Sequence, residues 1–238
     1  MNQSANNKKL LDFLLYSYFG CKADELEKEG KKKCAYRAYL DLARTVKYVY
    51  SSKILEKAKR GTVEHAFIDI RKDRINDICS KLIESIKTYP NGYDNFNSWH
   101  NNECEEIKNE MNKPYDGDKK LLKKDFAFGQ AQKWVNMTLK YLWLLDMLPE
   151  GLTAKSLHVP IDSFILEKLQ EENVDGISGN DRDTYKYKGK SWSQIDDYNA
   201  YLAIQKEIRR IAKEQGISPI QWEGSAWMNI AENRSNKK

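Results

Sequence analysis

Three short segments contain the residues best suited to chemistry. The first is the run GQAQKWVNMTLKYLWLLDML, which starts at Gly129. At 100° per residue, Gly129, Lys133, Asn136 and Lys140 fall on one narrow stripe. Trp134, Val135, Leu139, Tyr141, Leu142 and Leu145 cover most of the remaining surface. A helix that is apolar over most of its girth is largely buried, so its polar stripe must face water, a partner or a cleft. Burying a lysine is costly unless it is paired or its pKa falls. A lysine that gives up its proton is a nucleophile, because only the neutral amine attacks. The solvent-facing side of an ordinary core helix would show the same pattern.

The second segment is LHVPIDSFILEKL, in which Asp162 precedes a run with apolar residues at helical spacing. Asp is a favoured N-cap, and the helix dipole keeps a capping carboxylate ionised. Asp162 is therefore expected to be a fixed anion, whether it only caps the helix or also borders a cleft. It lies 29 residues beyond Lys133, enough for a helix, a connector and a return. The third segment, AIQKEIRRIAKEQGISPIQWEGSAWMNI, places Glu223 and Trp227 four residues apart, on one helix face. Trp can stack on a base and Glu can accept from a base N–H. A core Trp beside a surface Glu fits the same spacing.

The elements that must position these residues are nearly all helical, and no long alternating strand pattern or internal repeat occurs. Helices are expected over 7–19, 33–60, 62–88, about 98–113, 128–148, from Asp162 through Leu169, 193–214 and 220–229. Pro90-Asn91-Gly92 reads as a turn, 114–125 as a basic turn, 173–191 as a mobile polar loop and 231–238 as a fraying tail. The expected class is all-α. An N-terminal helical lobe over 1–125 would form part of a cleft wall, with a catalytic region over 126–230 and a flexible tail over 231–238.

Composition narrows the function classes. Apolar residues make up 40% of the chain and charged residues 32%, which permits a core beneath a soluble surface. No stretch approaches the roughly 18 apolar residues needed to span a bilayer. The apolar run LLDFLLYSYFG is short, carries Asp12 and lacks a small-residue cleavage site, so no signal peptide is expected. The net charge is +5, and residues 1–60 hold fourteen Lys/Arg against seven Asp/Glu. That bias suits phosphate contact, as it would a solvated helix surface. Cys21, Cys34, Cys79 and Cys104 form no C-x-x-C pair and no His sits at finger spacing, so neither zinc nor an iron–sulfur cluster is expected. Free thiols in a reducing cytoplasm are the simplest account. His65, His100 and His158 are scattered and complete no Ser-His-Asp set; His158 could line the cleft beside Asp162 or serve a structural role.

Together, Lys133-Trp134-Val135-Asn136, Val159-Pro160-Ile161-Asp162, Gln205-Lys206, Gly216-Ile217-Ser218-Pro219 and Trp227 resemble the archaeal 8-oxoguanine DNA glycosylase family. That family is a divergent branch of the helix-hairpin-helix glycosylases. The resemblance spans about residues 126–230, and 1–120 carry no matching motif. It implies two helical lobes around a central cleft, with Lys133 as the nucleophile at the sugar C1′. Asp162 would assist proton transfer and stabilise charge on the sugar. Glu223 and Trp227 would line the base pocket, with Asn136 and Lys140 as further substrate contacts. Gly129, Lys119, Lys120, Lys123 and Lys124 would hold the DNA backbone. Ala131 stands where the hairpin usually has its second glycine, so the phosphate contacts of that hairpin are in question.

The implied activity is a DNA N-glycosylase/AP lyase that removes a damaged or modified purine such as 8-oxoguanine from duplex DNA. It would act as a cytoplasmic monomer, with no cofactor or metal and no membrane partner. Two other readings stand beside it. One is a glycosylase-like enzyme acting on a foreign or modified base or nucleotide, as in phage defence. The other is a non-catalytic helical module that binds nucleic acid.

Overall fold

The computed structural model describes residues 3–89, 95–180 and 184–236, with side chains from residue 7. The turn expected at Pro90-Asn91-Gly92 lies outside the described residues. The chain is mostly helical, with one small sheet. In order come α1 (Gln3–Phe19), 3-10 and π turns over Ala23–Gly30, α2 (Lys31–Leu42), a 3-10 turn (Ala43–Thr45) and α3 (Ser52–Leu55). They are followed by α4 (Val63–Lys87), α5 (Phe96–Asn112), α6 (Phe128–Leu144) and α7 (Ser163–Glu171). Strands β1 (Ile177–Ser178), β2 (Lys186–Tyr187) and β3 (Lys190–Ser191) precede α8 (Tyr198–Glu214) and α9 (Pro219–Asn236).

Helix α6 is the axis of the core. Ala131, Trp134, Val135, Leu139 and Leu142 are all fully buried on it. The small residues Cys34, Ala35 and Ala38 of α2 let the two helices approach closely. Trp134 Nε1 donates to the Ala35 carbonyl at 2.8 Å, so the buried indole N–H has its partner. Helix α4 contributes Ile75, Ile78, Cys79, Leu82, Ile83 and Ile86, an i, i+3, i+4 stripe. One contiguous apolar cluster runs from Cys34 of α2 to Ala226 of α9 and draws on both 1–125 and 126–230.

Three expectations are corrected. The helix expected over 33–60 stops at Leu42. The β-branched and aromatic run Val46-Lys47-Tyr48-Val49 pairs with 121–123 instead, through Val49 N to Leu121 O at 3.0 Å and Lys123 N to Lys47 O at 2.8 Å. The polar loop over 173–191 contains a three-stranded antiparallel sheet ordered β1-β2-β3. Its second connection is Lys188-Gly189, both at positive φ (46° and 78°), the twist that a two-residue hairpin requires. The tail expected to fray from residue 231 continues α9 to Asn236, where Arg234 pairs with Glu167 of α7.

Candidate functional site

The carboxylate is delivered by the extended segment 157–162, which α6 and α8 hold by its backbone. Gln132 Nε2 donates to the Ile161 carbonyl at 2.9 Å, and Gln132 Oε1 accepts from Ile161 N at 3.1 Å. Gln205 of α8 clamps Val159 in the same two-way manner, at 3.0 and 2.7 Å. Ordinary sheet partners are replaced by side-chain amides, so the segment is satisfied without a neighbouring strand. The residue after the Gln132 clamp is Asp162, and the residue after Gln132 is Lys133.

Asp162 divides its two oxygens between two tasks. Oδ1 accepts from the Phe164 and Ile165 amides at 2.9 and 3.1 Å and so caps α7. Oδ2 accepts from Lys133 Nζ at 2.9 Å. Burial pushes the Asp162 carboxyl up. The Lys133 charge, its hydrogen bond and the two capping amides outweigh that and hold it below its ordinary value. Lys133 is only 7% exposed, with its ammonium 4.9 Å from the centroid of Trp192.

Seven residues along α6, two helical turns, Lys140 forms a hydrogen-bonded ion pair with Glu223 of α9. Glu223 is 2% exposed. Burial raises its carboxyl above the ordinary value despite Lys140, and the nearby Asp162 anion adds to the rise. Both pairs line one pocket of about 520 Å³, with Met137 between the lysines on the helix face and Trp227 at the wall. Trp227 is 42% exposed and stacks on Phe164, with ring centroids 5.0 Å apart and planes at 14°. The Arg234 guanidinium lies against the Phe164 ring as well, 4.1 Å from its centroid.

The structure thus brings together Lys133, Asp162, Lys140, Glu223 and Trp227. It corrects Asn136, which is fully buried outside that pocket. Asn136 Nδ2 approaches Val159 O, Gln132 Oε1 and the Tyr201 hydroxyl, and Asn136 Oδ1 accepts from His100 Nε2 at 2.9 Å. Both polar atoms of the side chain are thus engaged within the core and out of reach of a substrate in the pocket. His158 is also buried, between Tyr201 and Asn97, and burial holds both His100 and His158 well below the ordinary imidazole value, hence neutral.

Gly129 is corrected too. Its amide donates to the Ile195 carbonyl at 2.6 Å, and a Cβ there would lie 2.0 Å from the Trp192 carbonyl oxygen. The glycine admits the 192–195 turn, and its N–H is not open to a phosphate. Lys119 and Lys120 pair with Asp116 and Asp125 on the surface. Lys123 and Lys124 are exposed and border a separate hollow.

Sequence reasoning missed Trp192 and Phe164, and also Arg44, Tyr18, Asp41 and Tyr141, which line the same pocket. Arg37 donates to Asp41 at 2.9 Å, and Tyr141 also donates to Asp41. Tyr18, Asp41 and Arg44 come from α1, α2 and the connector after α2, where no motif marks them, and Tyr141 comes from α6, where it counted as part of the apolar girth. Phe164 alone left a signal, two residues after the capping Asp. Among the described residues, no group of three or more His, Cys, Asp or Glu is placed to hold a metal ion, and no helix is long and apolar enough to cross a membrane. Searches against protein-family models, curated proteins and solved structures return no match.

Proposed function

We propose that this chain is a DNA N-glycosylase/AP lyase of the helix-hairpin-helix kind, with two helical lobes around a cleft. It would remove a damaged or modified purine such as 8-oxoguanine. The observation that carries the reading is the 2.9 Å contact between Lys133 and Asp162, 29 residues apart in sequence, in a pocket that also holds Lys140, Glu223 and Trp227. A flipped nucleotide needs such a pocket, with an aromatic face for the base and polar groups for its edge.

Lys133 at rest is an ammonium paired with Asp162. On substrate binding, the Lys133 proton would pass by way of Asp162 to the departing base, which frees the amine and leaves Asp162 ionised. The Lys133 nitrogen then bonds to C1′ while the N-glycosidic bond breaks. The bonding electrons leave with the base, which takes up a proton. A proton on the bonded nitrogen then passes to O4′ as the C1′–O4′ bond opens, giving the protonated Schiff base. Removal of a C2′ proton then expels the 3′-phosphate and nicks the strand. Asp162, as an anion beside the developing positive sugar, favours the transition state over the ground state. Glu223 and Lys140 would read the base edge, and the exposed face of Trp227 would stack on the base.

The test is borohydride reduction of the protein on a duplex bearing 8-oxoguanine and on a panel of other modified bases. A covalent protein–DNA adduct on at least one lesion is expected. If no lesion or abasic site gives an adduct, the lyase reading fails.

A further inference from the structure

If the phosphate backbone of a nucleic acid is to be held, the amide of Gly129 is not the group that holds it, and Lys119 and Lys120 already have acidic partners. A different surface has the required chemistry. Backbone pairing of 47–49 with 121–123 sets two lysine-bearing segments side by side, so that Lys47, Lys123 and Lys124 border one hollow of about 820 Å³. Arg44, from the 3-10 turn, and Arg71, from α4, complete it, and among the described residues no carboxylate lines it. Arg71 lies over the Tyr48 ring at 5.1 Å, and among the described residues none of the five cations has a carboxylate within ion-pair distance. Unneutralised cations crowded in a concavity repel one another and focus potential on an incoming anion.

The hollow leads toward the Lys133 pocket. It shares Arg44, Lys47 and Lys124 with an adjoining hollow of about 800 Å³ that reaches Trp192, the residue beneath the Lys133 ammonium. Arg44 also lines the Lys133 pocket itself. We propose that Arg44, Lys47, Arg71, Lys123 and Lys124 form a track for the phosphodiester backbone of the strand whose nucleotide enters that pocket. The proposal rests on the DNA reading above. It replaces the helix hairpin with a cationic groove built largely by the N-terminal half.

The test is fluorescence anisotropy of the full chain on a labelled duplex carrying a tetrahydrofuran abasic analogue, titrated from low to moderate salt. Each phosphate neutralised adds about 0.9 to the slope of log affinity against log salt on duplex DNA. The triple substitution Lys47→Gln, Lys123→Gln, Lys124→Gln should make the slope shallower by about 2 to 3 and weaken binding at least about tenfold at low salt. The control pair Lys206→Gln, Lys213→Gln, exposed on α8, should leave the slope unchanged. Thermal melting of the triple variant should match the parent, because all three side chains are exposed.

Parent binding with an unchanged slope in the triple variant would overturn the track and leave the glycosylase reading standing. Failure of the parent to bind duplex or single strand in a salt-dependent way would overturn both. Full competition by inorganic pyrophosphate at low micromolar concentration would assign the hollow to a small phosphate compound and overturn the track alone.

Discussion

Two lysine–carboxylate pairs stand two turns apart on the same face of α6, and their carboxylates are poised differently. Asp162 is held below its ordinary pKa and Glu223 above it. Both carboxylates are largely buried and both have a lysine. Asp162 receives, beside its lysine, two amides from the start of α7, whereas Glu223, in the second turn of α9, has no such cap and faces the Asp162 anion. The Asp162 pair suits a reaction that develops positive charge, and the Glu223 pair suits recognition of a base edge.

That contrast is open to direct attack. The largest expected effect is on chemistry. Lys133→Gln should lower strand cleavage by at least about 10³-fold with duplex affinity largely kept, while Lys140→Gln should act mainly on KM and lesion preference. Single-turnover kinetics with the two variants side by side checks this, and equal losses in kcat would erase the distinction between the pairs. Asp162→Asn comes next. Asn caps a helix about as well as Asp, so α7 keeps its start while the charge disappears. Base release should slow by about 10² to 10³ with little change in binding, and the melting temperature should fall because buried Lys133 loses its partner.

Asn136, one turn along α6 from Lys133, supplies a second comparison, between ions and neutral groups. Asn136 sits among His100, Tyr201 and Gln132, all neutral and buried. Asn136→Ala strands several of these partners and should cost about 3 kcal/mol of stability, read by urea unfolding. Any intact fraction should keep its catalytic rate constant. A stable variant with a lost rate would return Asn136 to the substrate.

The smallest effect concerns Glu103, buried beside Ser85 and pushed by that burial up to about 7. Its folded pKa exceeds its unfolded one, so the native state binds more protons between about pH 4.5 and 7 and stability falls as pH rises through that window. Glu103→Gln should therefore be neutral near pH 4 and stabilise by about 2 kcal/mol at pH 8 in urea titrations. A gain that does not depend on pH would place the cause in packing rather than charge.

The helical class and the convergence of three segments were legible because each rests on local rules. The apolar girth of α6 demanded burial, Asp162 had the form of a cap, and Glu223 and Trp227 share a face. Asn136 shows where local rules stop. On a helical wheel it sits with Lys133 and Lys140, yet a polar side chain on a buried helix can be satisfied by other buried polar groups as well as by a cleft. Only the positions of His100 and Tyr201, about one hundred residues apart in sequence, decide between those outcomes. The strand pairing of Val46–Val49 was hidden for a related reason, since its partner lies over seventy residues away. Trp192 follows a tight hairpin in a polar stretch without periodicity, so nothing in the sequence assigns it to the lysine.

Borohydride reduction on an 8-oxoguanine duplex, followed by nuclease digestion and peptide mass mapping, tests the central claim most directly. One peptide carrying the sugar remnant is expected, with the added mass on Lys133. The same mass on Lys140, or on a lysine outside the pocket, would contradict it.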